Sequence, residues 1–340
     1  MSRLIALFAA PAACLVMATP GLAADWQVPA AGDQLRSGFD NNWDSADQNN
    51  PLSFELGVRY WYSWGAQSFQ SGAVTLDDKD NSHAAEAHFR IDDASTNFYA
   101  KGLIGMAFKI DGTATYDSFA TAPVSDGHIY YGGADLGYSW LGKNPSNTAF
   151  GPFAGVMHWN DSPNLGRANF TVGTTAGQFS YAGGGVIGPM DSQPDDVDVN
   201  ALRLGLSGKT DLSPMFDISG EVAAVPFAKL HGTLGALGVP VQINGNSSTF
   251  QSSAVDIDGW GYGAMAEVMV GFHPTDNMVF RLGGRAWYLQ GQADTSFDTI
   301  TVNDNSPAAP SVAGTQRYIS TSNPWSMFRF GPLAEMTYKF

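Results

Sequence analysis

The chain has 340 residues, with 17 Lys or Arg against 32 Asp or Glu and a formal net charge of −15. Such acidity excludes nucleic-acid binding, which needs basic surface to meet phosphate. Only 14% of residues are charged, 12% are aromatic and 39 are Gly, and beyond the N-terminus no run of about 18 apolar residues is present to make a transmembrane helix.

Residues 1–24 begin with Arg3, continue through an apolar run from Leu4 to Met17 and end in small residues before Asp25. This is the make-up of a cleaved signal peptide, with Gly21 and Ala23 as the small residues ahead of the cut, and its apolar run is too short to cross a bilayer as a helix. The one cysteine, Cys14, lies inside that leader, and Pro11 stands where a lipoprotein signal would carry an aliphatic residue. The mature chain is therefore expected to hold no disulfide and no lipid anchor. Loss of Arg3 leaves 16 basic residues against 32 acidic ones. Residues 25–50, centred on Asp40-Asn-Asn-Trp-Asp44, are polar but include Phe39 and Trp43; they read as a periplasmic lead, either tucked under the remainder of the chain or a flexible linker.

From 51 to 340 the sequence alternates between apolar and small or polar residues, the period-two signature of strands with two different faces. The first such segment puts Phe54, Leu56, Val58, Tyr60, Tyr62 and Trp64 on one face and Glu55, Gly57, Arg59, Trp61 and Ser63 on the other. Trp260 to Phe272 alternates most cleanly, and the last segment does so up to Phe340. Ten strands are expected, near 52–66, 83–91, 97–110, 128–141, 148–160, 199–209, 215–230, 258–272, 278–297 and 324–340. Connections at 92–96, 142–147, 209–214 and 273–277 are short and rich in turn formers, whereas the other five, including 161–200 and 231–257, are long and polar. Short turns at one end and long loops at the other is the plan of an outer-membrane barrel. Lipid cannot satisfy an open sheet edge, so the first and last strands must pair.

The fold expected is thus all-β: a closed antiparallel transmembrane barrel of about ten strands, both ends periplasmic, in the outer membrane of a Gram-negative cell. Tyr60, Trp61, Tyr62, Trp64, Tyr138, Trp140, Trp159, Trp260, Tyr262, Trp287, Tyr288 and Trp325 cluster near strand ends and are expected in interfacial girdles. A soluble periplasmic β-barrel or sandwich would also alternate, but with a polar outer face and shorter strands.

If the apolar face meets lipid, the lumen receives Glu55, Arg59, Glu86, His88, Arg90, Lys101, Lys109, Asp135, His158, Arg203, Asp217, Glu221, Glu267, Arg281, Arg285, Arg329, Glu335 and Lys339. Both signs are present in similar numbers, and a ten-stranded barrel is little wider than the eight-stranded kind that side chains fill. A paired structural lumen is expected, with a narrow solute path as the alternative.

The long third strand from Lys101-Gly-Leu-Ile-Gly-Met-Ala-Phe-Lys109 into Gly112, the stretch Ala134-Asp-Leu-Gly-Tyr-Ser-Trp140 followed by Phe150-Gly-Pro-Phe-Ala-Gly155, and the Tyr338-Lys-Phe340 ending together resemble the omptins, ten-stranded outer-membrane aspartyl endopeptidases. The resemblance implies a D-x-D-W motif after the third strand, whose paired carboxylates activate water, and a D-x-H in the fourth outer loop. Here the first stretch reads Thr115-Tyr116-Asp117-Ser118-Phe119, so Tyr116 and Ser118 stand where the aspartates would, and hydroxyls cannot act as coupled general bases. The fourth loop has His231 but no Asp-x-His. Asp126-Gly127-His128 is the one Asp-x-His of the mature chain, and with Asp117 or the Asp77–Asp80 cluster it forms a minority candidate for an acid-plus-histidine site. The runs Asp77–Asp80 and Asp191–Asp198 lack the Gly and Glu spacing of a Ca²⁺ loop and read as solvated acidic loops. His-Glu-x-x-His, Gly-x-Ser-x-Gly and the P-loop are absent. No catalytic residue, metal or cofactor is expected. The partners expected are outer-membrane lipid and lipopolysaccharide, and the barrel-assembly machinery through the strand ending at Phe340. The function expected is non-enzymatic, structural or surface-binding through the acidic external loops; a small-solute channel and an omptin-like endopeptidase with displaced catalytic groups are the alternatives.

Overall fold

The computed structural model describes residues 51–72, 74–116, 120–140, 148–165, 179–180, 186–187, 195–234, 240–244, 247–251, 253–303 and 311–340. The leader, the 25–50 segment and Asp117 lie outside them, as does the side chain of Asp126.

Among the described residues fourteen strands follow one another: β1 (Leu52–Ser71), β2 (Val74–Asp93), β3 (Phe98–Tyr116), β4 (Ala120–Tyr138), β5 (Thr148–Leu165), β6 (Phe179–Ser180), β7 (Val186–Ile187), β8 (Asp196–Ser213), β9 (Phe216–Leu234), β10 (Pro240–Asn244), β11 (Ser247–Gln251), β12 (Val255–Phe272), β13 (Met278–Asn303) and β14 (Ser311–Lys339). Ten of them, β1 to β5, β8, β9 and β12 to β14, pair with their neighbours in an antiparallel ring that β14 closes against β1. The seam runs in unbroken register from Glu55↔Lys339 to Trp61↔Leu333, and the Phe340 amide donates to the Phe54 carbonyl at 2.9 Å. The hairpin of β10 and β11 extends the sheet beside the far end of β13, pairing Ser247 with Asn303.

At one end the connections are tight. Between β2 and β3 the Asn97 amide donates to the Asp93 carbonyl at 2.8 Å, with Asn97 at φ 62°, a conformation asparagine tolerates. The Asp93 carboxylate accepts from the Ser95 amide and hydroxyl and from the Thr96 hydroxyl, which holds its pKa down to about 2.

Alternation turns large apolar side chains outward. Leu56, Val58, Ile104, Met106, Phe108, Leu136, Val156, Val268 and Leu282 are all exposed, Leu136 and Leu282 by 68%. A belt of that kind is stable only against hydrocarbon. The strands run beyond it at the long-loop end, where outward residues become polar: Asn81, Lys79 and Asp77 on β2, and Asn200, Asp198 and Asp196 on β8. The sequence does not mark the β2 extension, where both faces carry polar residues, whereas in the β8 extension Val197 and Val199 alternate with Asp196 and Asp198 but with the apolar face turned inward, the reverse of the lipid-facing pattern.

Candidate functional site

The inward faces divide the lumen into two charged layers separated by aromatic side chains. Trp61, Tyr131, Trp159 and Trp287, from β1, β4, β5 and β13, are all at least 95% buried. Tyr131 stacks on Trp159 at 4.7 Å, Trp159 meets Trp287 edge-on at 4.9 Å, and Trp61 lies edge-on to Tyr131 at 5.9 Å. With Met265, Leu289, Met327 and Leu333 they form a septum. Trp61, Trp159, Trp287 and Trp325 therefore do not belong to the interfacial girdles in which the sequence placed them. Each sits on the inward parity of its strand, where it fills the lumen instead.

Between the septum and the short turns, charges match. Six cations, Arg59, Lys101, Arg203, Lys209, Arg281 and Arg285, meet six carboxylates, Glu86, Asp135, Asp217, Glu221, Glu267 and Glu335, each ion contacting at least one of opposite sign. Arg285 bridges Glu86 at 2.5 Å and Glu267 at 2.8 Å, and Arg281 bridges Glu335 at 2.6 Å and Asp217 at 3.2 Å. Tyr131 donates to Glu86 at 2.5 Å, tying the septum to this layer. Arg90 pairs with Asp92, Lys339 with Glu55, and His88 lies 3.5 Å from Glu335. This pairing offsets the cost of removing the ions from water. A cavity of about 350 Å³ remains within the layer, running from Trp61 and Tyr131 down to Asp92, Ser139 and Lys209 beside the short turns.

Two expected lumen residues face outward. Lys109 is exposed and pairs with Asp111 at 2.9 Å, because a bulge at Phe108 sets Ala84↔Ala107 beside His83↔Lys109 and inverts the parity of β3 beyond it. His158 lies opposite Asn200, accepting or donating at 3.0 Å, because Trp159 takes the inward position beside it.

Beyond the septum, toward the long loops, the balance is lost. Arg329, 1% exposed, is the one buried cation described there; it donates to Asp80 at 2.6 and 2.8 Å, to Ser82 at 2.9 Å and to Ser63 at 3.1 Å, and reaches Asp161 at 3.5 Å. Three carboxylates, Asp78, Asp80 and Asp161, act on it, and a fourth, Asp195, adjoins Asp78 and Asp161; none is more than 6% exposed. Gln67 donates to Asp161 at 2.6 Å, whereas one oxygen each of Asp78 and Asp195 has no hydrogen-bond partner among the described residues. These groups lie above the apolar belt, level with the polar outward residues of β2 and β8. Burial, reinforced by Asp80 and Asp161, pushes Asp78 up to about 8 against the opposing pull of Arg329; burial likewise raises Asp161 to about 6 and carries Asp195 well above the ordinary carboxylate range.

Asp77–Asp80 is thus strand, not solvated loop: Asp78 and Asp80 point inward and are buried, Asp77 and Lys79 point outward. Asp195 is buried as well, and residues 191–194 lie outside the described residues. The sequence reading missed this site, although the Asp78-Lys79-Asp80 spacing, which sends two carboxylates to one face of a strand, was its visible signal. His128 does not join the cluster; it is exposed, with its ring stacked on Tyr130 at 5.7 Å. At the short-turn end, Asp211, Asp217 and His273 converge closely enough for a metal ion, but Asp217 is already engaged by His273 at 2.7 Å, Arg281 at 3.2 Å and Lys209 at 3.7 Å, a setting hostile to a further cation.

No protein family and no curated protein matches the sequence. Among solved structures, the chain is similar to the outer membrane protease OmpT from Escherichia coli, with a TM-score of 0.56 and 11% identity over 85% of this chain and 96% of that one. It also matches the translocator domain of the autotransporter NalP from Neisseria meningitidis (TM-score 0.33, 11% identity, 90% and 92% covered) and the outer membrane protein OprG from Pseudomonas aeruginosa (0.29, 12%, 85% and 95%). The likeness to OmpT is one of fold. The chain has an omptin-like fold: a closed antiparallel β-barrel with an outward apolar belt.

Proposed function

We propose that this protein is a sealed, non-enzymatic outer-membrane barrel whose work is done at its long-loop end, as a binding surface raised above the lipid. The observation that carries the reading is the septum of Trp61, Tyr131, Trp159 and Trp287, anchored below by the matched ion pairs and above by Arg329, whose guanidinium lies 5.4 Å from the Trp159 ring. Such a lumen suits a rigid wall better than a conduit. Planar-bilayer recording of the purified barrel tests it: no stable unitary conductance is expected, and large, long-lived openings would replace the reading with that of a small-solute channel.

The carboxylate group around Arg329 favours one second reading, a hydrolase with displaced catalytic groups, since raised carboxyl pKa values are what a general acid or base needs. Against it stands the near-complete burial of those carboxylates. Incubation with a peptide library tests it. Cleavage abolished by Asp78→Asn would establish the hydrolase, and absence of cleavage supports the binding role.

A further inference from the structure

The outer wall carries a recess of its own, on the far side of the strands from the lumen. Facing outward in register across β1, β14, β13 and β12 are Ser68, Ser326, Gln290 and Tyr262, with Ala66, Phe328, Tyr288 and Ala264 in the row next toward the short turns. The lower row is apolar and the upper one polar, so the margin of the lipid-facing belt runs between them. One row further up, Gln292 pairs with Trp260. Ser68 and Ser326 are small, and the trough they leave beside the rings of Trp260, Tyr262 and Tyr288 is a cavity of about 510 Å³, within the range of small-molecule sites. Those rings are 55%, 50% and 40% exposed, open to an occupant. The Tyr288 hydroxyl donates to Gln290 Oε1 at 2.9 Å, and the Gln290 amide donates to the Tyr262 hydroxyl at 3.0 Å. This chain of bonds fixes both rings, and because Tyr262 accepts in it, its own O–H is left to donate elsewhere.

An interfacial girdle accounts for the rings, but not for the neutral polar groups set between them. Outward residues above the belt on other strands include Lys79 and Asp77 on β2 and Asp198 and Asp196 on β8, whereas no charged side chain among the described residues lines this recess. Amides and hydroxyls both donate and accept. They match the hydroxyls of a ligand and would leave a phosphate or carboxylate without a counter-ion. Aromatic faces are negative and suit the C–H face of a saturated ring. A saturated ring with hydroxyls on its rim and C–H bonds on its face is a pyranose.

We propose that this recess binds an uncharged sugar ring, stacked against Trp260 and Tyr262 and hydrogen-bonded by Gln290, Gln292 and the flanking serines. A soluble oligosaccharide and a glycolipid headgroup of the surrounding leaflet share that chemistry. The site lies on the outer wall at the margin of the belt and does not depend on the external surface invoked above.

Tryptophan fluorescence of the full barrel in dodecyl phosphocholine micelles tests the assignment, with disaccharides of glucose, galactose and mannose added either free or as dodecyl glycosides. A saturable change with at least one of these sugars is expected, and its uronic acid counterpart is expected to bind at least tenfold more weakly. Saturation by the free disaccharide identifies a soluble glycan, and saturation by the dodecyl glycoside alone identifies a headgroup of the leaflet. Gln290→Leu and Tyr262→Leu are each expected to weaken binding at least fivefold while the heat-modifiable mobility of the folded barrel is unchanged. If either fails to fold, Ser326→Leu, which fills the trough from β14, is expected to abolish binding. No saturation by any of the sugars in either form would overturn the proposal, and so would undiminished binding to the folded variants.

Discussion

Arg59 and Glu335 face each other in register across the β1–β14 seam, and the Arg59 Nε donates to Glu335 Oε2 at 2.5 Å. They are 276 positions apart in the sequence, so the contact exists only once the first and last barrel strands have met. Glu335 also accepts from Arg281 at 2.6 Å and from Thr337 at 2.7 Å.

Glu335→Ala is therefore expected to leave Arg59 and Arg281 short of a counter-ion inside the wall and to destabilise the barrel by about 3–5 kcal/mol, the usual cost of breaking a buried pair from one side. Urea unfolding in detergent, followed by loss of the folded band on gels, measures it. Replacing Asp111, which pairs with Lys109 on the exposed face, is expected to cost under about 1 kcal/mol.

The septum gives a second expectation. Trp159→Ala removes the ring that touches both Tyr131 and Trp287, at a cost of about 3–5 kcal/mol in stability. Combined with Trp287→Ala it is expected to convert a silent barrel into one with measurable single-channel current in planar bilayers. Continued silence of the folded double variant would place the seal in the layers above and below.

Gly105 supplies a third. A Cβ at this β3 position would overlap the Tyr131 ring and hydroxyl, the hydroxyl that donates to Glu86. Gly105→Ala is expected to displace Tyr131, leave Glu86 short of a donor and cost about 1–3 kcal/mol. Gly314→Ala, where a Cβ meets nothing within 4 Å, is the matched control, and thermal melts of the two variants provide the comparison.

The carboxylates around Arg329 set a pH dependence. Asp78, Asp161 and Asp195 have raised pKa values, so the folded state holds protons that the unfolded chain has released. Their contribution is whole below the unfolded carboxylate range near pH 4 and is lost as pH climbs through about 6 and then about 8. Melting temperature is expected to fall between pH 5 and pH 8.5, with hydrogen exchange rising first in the outer parts of β2 and β5. Asp78→Asn is expected to flatten that slope; a slope unchanged in the variant would assign the effect elsewhere.

The sequence disclosed the barrel wherever one strand face met lipid and the other did not. Leu56 and Val58 against Glu55 and Arg59 is such a stretch: the first two are exposed on the outer face and the second two are ion-paired in the lumen. It was less informative where that contrast lapses. A tryptophan looks the same whether it sits in a girdle or in the lumen, so Trp159 was assigned to the wrong side and took His158 with it. The bulge at Phe108 inserts one residue without any local signal such as glycine, which misplaced Lys109. Asp78 and Asp80 resembled a loop because acidic runs usually are loops; their burial depends on Arg329, which comes from the far end of the chain.

The last two strands carry a consequence of their own. β13 has 26 residues and β14 has 29, whereas about 9–11 suffice to cross the hydrocarbon. At about 3.3 Å per residue the hairpin measures roughly 85 Å along the chain, with β11 bracing its far end. This makes it a mast: a peptide tag spliced between Asn303 and Ser311 would be carried clear of the lipid on a stiff support, giving an antibody on intact cells a foothold that barrels with short hairpins do not offer.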